Sequence, residues 1–343
     1  MKYFATLLAI VLSLPSASCQ DRAAVSLTFD VEDDIGMPVE GAIISTQMFD
    51  YWKPGGGTFG QDKYKMIDVT TGANGKAALS EKTSRCELVI IARKEGYYNG
   101  ATSFKSITAR AGMWQPTQQV LPILLKRKLN AIPLFAKRVE AANAAWLDLP
   151  ADQCSYDMDV GDWVAPHGKG MVADLVFTLT NRYFPEKTGL IRDAKFTVTF
   201  SNPLDGLIIH DSSKDLPSAL LMPYLAPETG YLPSMSWRDT VVAGPAINEK
   251  PSHKVMHQPN APKRHLFLRV RTKVDKDGKI ISANYAKVHR GIEWGGEGVI
   301  KFQYHYNPTP NDRNLEFDPK KNLFPAPKDG KERWNSPPPV TEP

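Results

Sequence analysis

Few side chains in this 343-residue chain have the type and spacing to do chemistry. His253 and His257 stand four apart, a spacing that on one helix face would present two imidazoles to zinc. His265 is near enough to add a third ligand through a loop. Pro251, Pro259 and Pro262 work against a helix, and no Glu follows His253, so the zinc-protease pattern fails and these read as exposed loop histidines. Asp157, Asp159 and Asp162 gather hard oxygens. Gly161 and Asp162 stand in the wrong order for a calcium loop, however, and Gly168 occupies the place of its bidentate Glu. Glu293 beside Trp294 is a carboxyl that an indole would desolvate and push up in pKa. The competing reading of that stretch is a turn between strands. There is no G-x-S-x-G elbow. No metal, no cofactor and no catalytic residue is expected.

The remaining candidates are contact and cysteine positions. Tyr51 and Trp52 precede the glycine run Gly55-Gly56-Gly57, where two rings would either stack on a sugar or partner, or fold back over a sheet edge. Trp163 and His167 lie in a stretch dense in polar and aromatic residues and complete the expected binding set. Of the three cysteines, Cys86 and Cys154 are an even pair if Cys19 is modified. A bridge between them would close a loop of roughly 68 residues and add about 4 kcal/mol in the chain-entropy model. Two buried free thiols are the alternative.

Cys19 takes its meaning from the leader. Lys2, an apolar run over residues 4–14 and the small residues Ser16-Ala17-Ser18 have the layout of a secretory signal peptide, residues 1–18. Ser16-Ala17-Ser18-Cys19 resembles a bacterial lipobox, with Ser16 where that pattern usually has Leu. The resemblance implies an acylated Cys19 and a folded body held at a membrane by lipid, each buried methylene contributing roughly 0.8 kcal/mol. Cleavage without acylation leaves Cys19 free. Either way the expected location is outside the cytoplasm, periplasmic or at the outer cell envelope. No later stretch reaches the ~18–20 apolar residues of a spanning helix.

The elements that must carry these residues are strands. With 42% hydrophobic and 10% aromatic residues there is material for a sizeable core, and 27 Pro with 24 Gly point to many turns. The net charge of +5 forms no basic stripe, so nucleic acid is not an expected partner. Residues 25–31 alternate apolar and polar, Asn74-Gly75 marks a tight hairpin turn, and residues 87–92 and 121–126 read as buried strands. About seven strands at such spacing predict a sandwich over residues 23–128. Residues 129–150 read as a linker. In residues 151–324, the hairpin over 265–288 and the strand over 299–306 alternate cleanly. Ile300, Phe302, Tyr304 and Tyr306 share one face there, while Lys301, Gln303 and His305 share a second, wet one. Residues 325–343 read as a disordered tail. The expected class is all-β: an Ig-like sandwich followed by a second antiparallel sandwich or jelly-roll-like domain.

Three motifs in the first domain carry a family resemblance. Asp34-Ile35-Gly36-Met37-Pro38-Val39-Glu40-Gly41-Ala42, Thr71-Gly72-Ala73-Asn74-Gly75-Lys76 and Lys94-Glu95-Gly96-Tyr97-Tyr98 resemble the turns of a carboxypeptidase regulatory-like (transthyretin-like) domain, with Gly72 in place of an Asp. The resemblance implies a small Ig-like sandwich on an exported protein, without catalysis of its own. The polar and aromatic stretches of the second domain are similar to those of exported bacterial proteins that carry such a sandwich. The expected function is therefore a non-catalytic binding or assembly protein of the cell envelope. Its expected partner is a glycan or an envelope protein, and its membrane contact is a lipid on Cys19. A carbohydrate-active hydrolase with an Asp/Glu pair in the second domain is the alternative.

Overall fold

The alternation read at residues 25–31 extends over a full strand, β1 (Ala23–Asp33), whose side chains alternate between buried and half-buried along its length. A computed structural model describes residues 22–51, 63–106, 108–139, 153–183, 190–247, 250–257, 264–294, 300–325 and 340–343. These residues are almost entirely β, arranged in sandwich units. They divide into two compact units. Unit 1 holds the residues up to Lys128 together with Leu216–Leu220; unit 2 holds Leu129–Asp215 and Leu221–Pro343.

Unit 1 continues with β2 (Ile43–Tyr51), β3 (Lys63–Thr70), β4 (Lys76–Thr83), β5 (Glu87–Arg93), β6 (Gly100–Lys105), β7 (Thr108–Arg110), β8 (Met113–Gln115) and β9 (Gln119–Leu125). One sheet runs β4-β1-β8-β7, with β9 also parallel to β1; the other runs β3-β2-β5-β6. Val25, Leu27 and Phe29 of β1 meet Ile44 and Met48 of β2, and Leu88, Ile90 and Ala92 of β5, in one core. Asn74-Gly75 forms a turn, closed by Gly75 N–H on Gly72 C=O at 2.9 Å. The expectation of a hairpin is corrected, because β3 pairs with β2 and β4 with β1, so the turn carries the chain from one sheet to the other. Gly75 sits at φ +71°, and a Cβ there would lie 2.5 Å from the Val31 carbonyl. Only glycine fits.

Unit 2 consists of β10 (Phe135–Val139), β11 (Cys154–Asp157), β12 (Asp162–Trp163), β13 (Leu175–Tyr183), β14 (Leu190–Thr199), β15 (Gly206–Asp211), β16 (Met235–Ile247), β17 (Lys250–His257), β18 (Arg264–Val274), β19 (Ile280–Trp294) and β20 (Ile300–Asn307). Its sheets run β12-β11-β13-β14-β16-β17 and β10-β20-β19-β18-β15, all antiparallel. Tyr156, Trp163, Phe177 and Phe196 pack with Leu266, Leu268, Val288, Phe302 and Tyr304 in the core. Three expectations are corrected. Residues 135–139 are no linker but the edge strand β10 on β20, since Ala136 and Val139 are buried while the residues between them stay half-exposed. The last residues of the expected tail are ordered: Val340 is buried with Leu134, Ala136 and Phe317. The second face of the β10-β20-β19-β18-β15 sheet is not wet. Met222, Ala226 and Leu315 cover Phe267, Ala283 and Tyr285, and Phe317 and Val340 cover the β10 side.

Arg271 fixes the mouth of this sandwich. It has φ +56° at a register break in β18, where Asp205 accepts the Arg271 N–H at 2.9 Å and the Thr272 N–H at 2.8 Å. The twist turns its guanidinium out of the alternation expected of β18. Nε and Nη2 then bond both oxygens of Asp174 at 2.8 Å, and Nη2 also bonds Asp157 at 2.8 Å. Both carboxylates are almost wholly buried. Burial raises the Asp174 carboxyl above its ordinary value despite the guanidinium. Burial pushes Asp157 up too, but N–H donors from Val172, Met171 and Val160 and the Arg271 charge outweigh it and hold that carboxyl low. Replacing Arg271 with Met would strand two buried carboxyls. The expected cost, read by urea unfolding, is about 3–5 kcal/mol; a loss below about 1 kcal/mol would show that the carboxylates find other partners.

Candidate functional site

The covered face of the β10-β20-β19-β18-β15 sheet carries the densest group of titratable side chains among the described residues of unit 2. His210 on β15 lies opposite His265 on β18; His265 lies beside His289 on β19; His289 lies opposite Gln303 on β20; and Gln303 lies opposite Arg138 on β10. One rung over, Lys287 lies opposite His305. Alternation puts every one of these side chains on the face away from the Leu266–Leu268–Val288–Phe302–Tyr304 core. Ring centroids are 6.1 Å apart for His210 and His265, 6.0 Å for His265 and His289, and 4.5 Å for His289 and His305. His265, His289, His305 and Lys287 are 0–4% exposed.

The hydrogen bonds fix how these rings carry their protons. The Arg290 N–H donates to Nδ1 of His265 at 3.1 Å, so Nε2 of that ring holds the hydrogen and donates to Ser212 Oγ at 3.0 Å. Nε2 of His305 donates to the Glu342 carbonyl at 3.0 Å, which leaves Nδ1 as its basic atom. That Nδ1 and the Nε2 of His289 have no hydrogen-bond partner among the described residues. Arg138 donates to Gln303 Oε1 at 2.7 and 3.0 Å and lies 3.6 Å from the Glu342 carboxylate. At the other end His210 Nε2 is 3.5 Å from Asp215. Burial, with the charges of His210, Arg290 and Lys287, pushes His265 down to about 4. Burial holds His289 and His305 well below the ordinary imidazole value too, helped in both by the Lys287 charge. Burial therefore favours the neutral form of His265, His289 and His305, which take up protons only at a cost. Among the described residues no group of three or more His, Cys, Asp or Glu is placed to hold a metal ion.

The expected contact residues fall elsewhere. Trp163 is 4% exposed, edge-on to Tyr156 at 5.2 Å in the unit 2 core; it serves packing, which corrects its expected role in binding. His167 is half-buried in the loop that Asp162 organises through the Trp163 and Lys169 N–H groups, and its own N–H closes a turn on the Val164 carbonyl at 3.1 Å. The backbone of Tyr51 pairs with Lys63 at the end of β2, while its side chain, Trp52 and Cys19 lie outside the described residues. Glu293 is exposed on β19 opposite Lys301, and Trp294 turns to the other face, onto Phe196 at 5.4 Å. Strand alternation thus puts the indole and the carboxyl on opposite faces of β19. His253 and His257 lie along strand β17, and their side chains lie outside the described residues.

A second feature is on unit 1. Ile43, Ser45, Gln47 and Phe49 of β2 point away from the core, with Met66 opposite Gln47 and Tyr64 opposite Phe49 on the edge strand β3. Ile43, Tyr64 and Met66 are 47%, 59% and 38% exposed. The Phe49 and Tyr64 rings are 6.1 Å apart, and the Arg85 guanidinium lies 3.6 Å over Phe49.

No family model matches the sequence, and no curated protein does. Among solved structures the chain is similar to a chlorocatechol 1,2-dioxygenase from Pseudomonas putida, at 13% identity and TM-score 0.24, over 31% of this chain and 61% of that one. It thus spans about three fifths of that enzyme's length. It is also similar to the full-length major pilin SpaD from Corynebacterium diphtheriae, at 10% identity and TM-score 0.24 over 87% and 84% of the two chains. A third is the shaft pilin spaA from Lactobacillus rhamnosus GG, at 10% identity and TM-score 0.20 over 86% and 95%. Values this low do not define a shared fold. No helix among the described residues is long and apolar enough to cross a membrane.

Cys86 and Cys154 are free thiols, the second of the two readings their pairing left open: each is buried in the core of its own unit. Burial pushes the Cys154 thiol up to about 12. Neither thiol should react with Ellman's reagent in the native protein, and both should react after denaturation without reductant. One mixed-disulfide-free tryptic peptide linking the two cysteines, seen by mass spectrometry, would restore the bridge.

Proposed function

We propose that this chain is an exported, non-catalytic binding protein of the cell envelope, that Cys19 carries a lipid, and that the outward face of the β3-β2-β5-β6 sheet docks an envelope protein. The leader over residues 1–18 supports export, and the turn motifs of unit 1 support a carboxypeptidase regulatory-like sandwich. The observation that carries the binding role is the group Ile43, Phe49, Tyr64, Met66 and Arg85. The outward face of an antiparallel sandwich sheet is ordinarily polar. Aromatic residues, Met and Arg are the types enriched where proteins meet, and rigid rings anchor such contacts at low entropic cost. A sugar site would pair an open ring face with converging polar groups, whereas one face of Phe49 is taken by Arg85.

A photo-reactive phenylalanine analogue in place of Tyr64 should give one discrete protein adduct in intact producing cells. The same analogue in place of Val120, which is equally exposed on the other sheet of unit 1, should give none. Equal labelling from both positions, or no adduct, overturns the docking face. Binding on a glycan array, or turnover of a glycan, moves the protein to the hydrolase reading. Radiolabelled palmitate should enter the wild-type chain and not Cys19→Ala; incorporation that survives the change removes the lipid anchor.

A further inference from the structure

The geometry points to a second property, independent of what unit 1 docks. We propose that the imidazole row of unit 2 is a proton-operated switch: charging His265 at Nδ1 and His305 at Nδ1 opens the layer that covers the second face of the β10-β20-β19-β18-β15 sheet. That layer includes the residues around Met222–Ala226 and Asn314–Phe317 and the segment Val340–Pro343.

The two atoms have different consequences. Nδ1 of His265 accepts the Arg290 N–H at the register break between His289 and Ile292, where Arg290 has φ +60°. A proton on that nitrogen replaces an acceptor with a donor, so the bond is lost and two N–H groups face each other. Among the described residues Nδ1 of His305 is buried without a hydrogen-bond partner, under Phe317 at 5.0 Å and on a residue directly opposite Lys287. A proton there puts a second cation beside an ammonium in a site closed to water. Lys287 and Arg290 from β19 and Arg138 from β10 are cations, and His210 from β15 and His289 from β19 add further basic groups. Among the described residues Asp215 stands beside His210 and Glu342 beside Arg138, at the two ends of the row. Moving the cover aside returns water to the charged rings, which relieves both costs. Because the folded rings bind protons more weakly than exposed ones, the cover is fully held above about pH 6.5 and is loosened progressively as the pH falls toward about 4.

The molecule carries its own control. All seven histidines lie between positions 167 and 305, outside residues 216–220, so unit 1 contains none. Hydrogen exchange on the full chain, corrected for intrinsic rates, should show peptides over residues 221–227, 311–318 and 340–343 exchanging about tenfold faster or more near pH 5 than near pH 7.5. Peptides of β1, β2 and β5 should keep their protection. In a His265→Asn, His305→Gln variant the pH ratio of the cover peptides should fall to within about twofold of one. Asn offers Arg290 an acceptor that does not titrate. If the double variant does not fold, His305→Gln alone should still reduce the ratio. Equal acid response in both units, no response in the wild type, or a full response in the variants would each overturn the switch.

Discussion

The guanidinium of Arg271 holds together what the two sheets of unit 2 would otherwise leave open. Asp157 closes β11 and Asp174 precedes β13, both on one sheet, while Arg271 belongs to the other. Two carboxylates taken out of water need a charge and several N–H donors, and the break at Arg271 supplies them at one point. The loop from Met158 to Val172 is therefore built around a fixed anion: Asp157 accepts N–H groups from Asp159, Val160, Met171 and Val172. Tyr304 adds to this by donating to the Met158 carbonyl from the core. In the stretch that looked rich in binding groups, the carboxylates of Asp157 and Asp162 organise the loop itself.

Unit 1 is specified by other means. Its turns do the work that buried charge does in unit 2. Thr71 Oγ donates to the Val39 carbonyl and accepts from the Ala42 N–H, so a single buried hydroxyl joins two loops. Gly41 N–H bonds the Thr71 carbonyl, and Lys94 reaches the Glu40 carbonyl, which brings the three motif turns into one hydrogen-bonded group. Such residues leave short, local signatures, and for that reason the sandwich is legible in the sequence.

Legibility elsewhere followed the same division between local and distant causes. Ile300, Phe302, Tyr304 and Tyr306 do share the core face, as alternation required, because period two is a property of the strand alone. What lies over the opposite face is not. Phe317 and Glu342 meet His305, Ser212 meets His265, and Met222 and Ala226 pack on Phe267 and Tyr285 of the same face, and nothing in the alternation of β18 to β20 encodes them. The signal that was present is the residue type. A face turned to water draws Lys, Glu and Thr, whereas three histidines, a lysine and a glutamine in register across neighbouring strands form a network suited to burial. Trp163 misled for the complementary reason: polar neighbours in sequence place a ring in a loop, but Asp162 folds that loop back and the indole goes inward.

Seen together, the two polar groups of unit 2 respond differently to protons, and the difference comes from the sign of the buried charge. In the Arg271 cluster a cation is matched by buried anions, so the charged state is the paired state and survives mild acid as long as Asp157 stays ionised. In the imidazole row buried Lys287 lies opposite His305 and its charge opposes a proton there, so an added proton puts like charge where little water can screen it. The cluster at the sandwich mouth can therefore hold the sheets together while the covering layer over the outer face loosens. A fold that placed its carboxylates and histidines in a single mixed network would have lost that separation, because the anions would have stabilised the charged imidazoles in place.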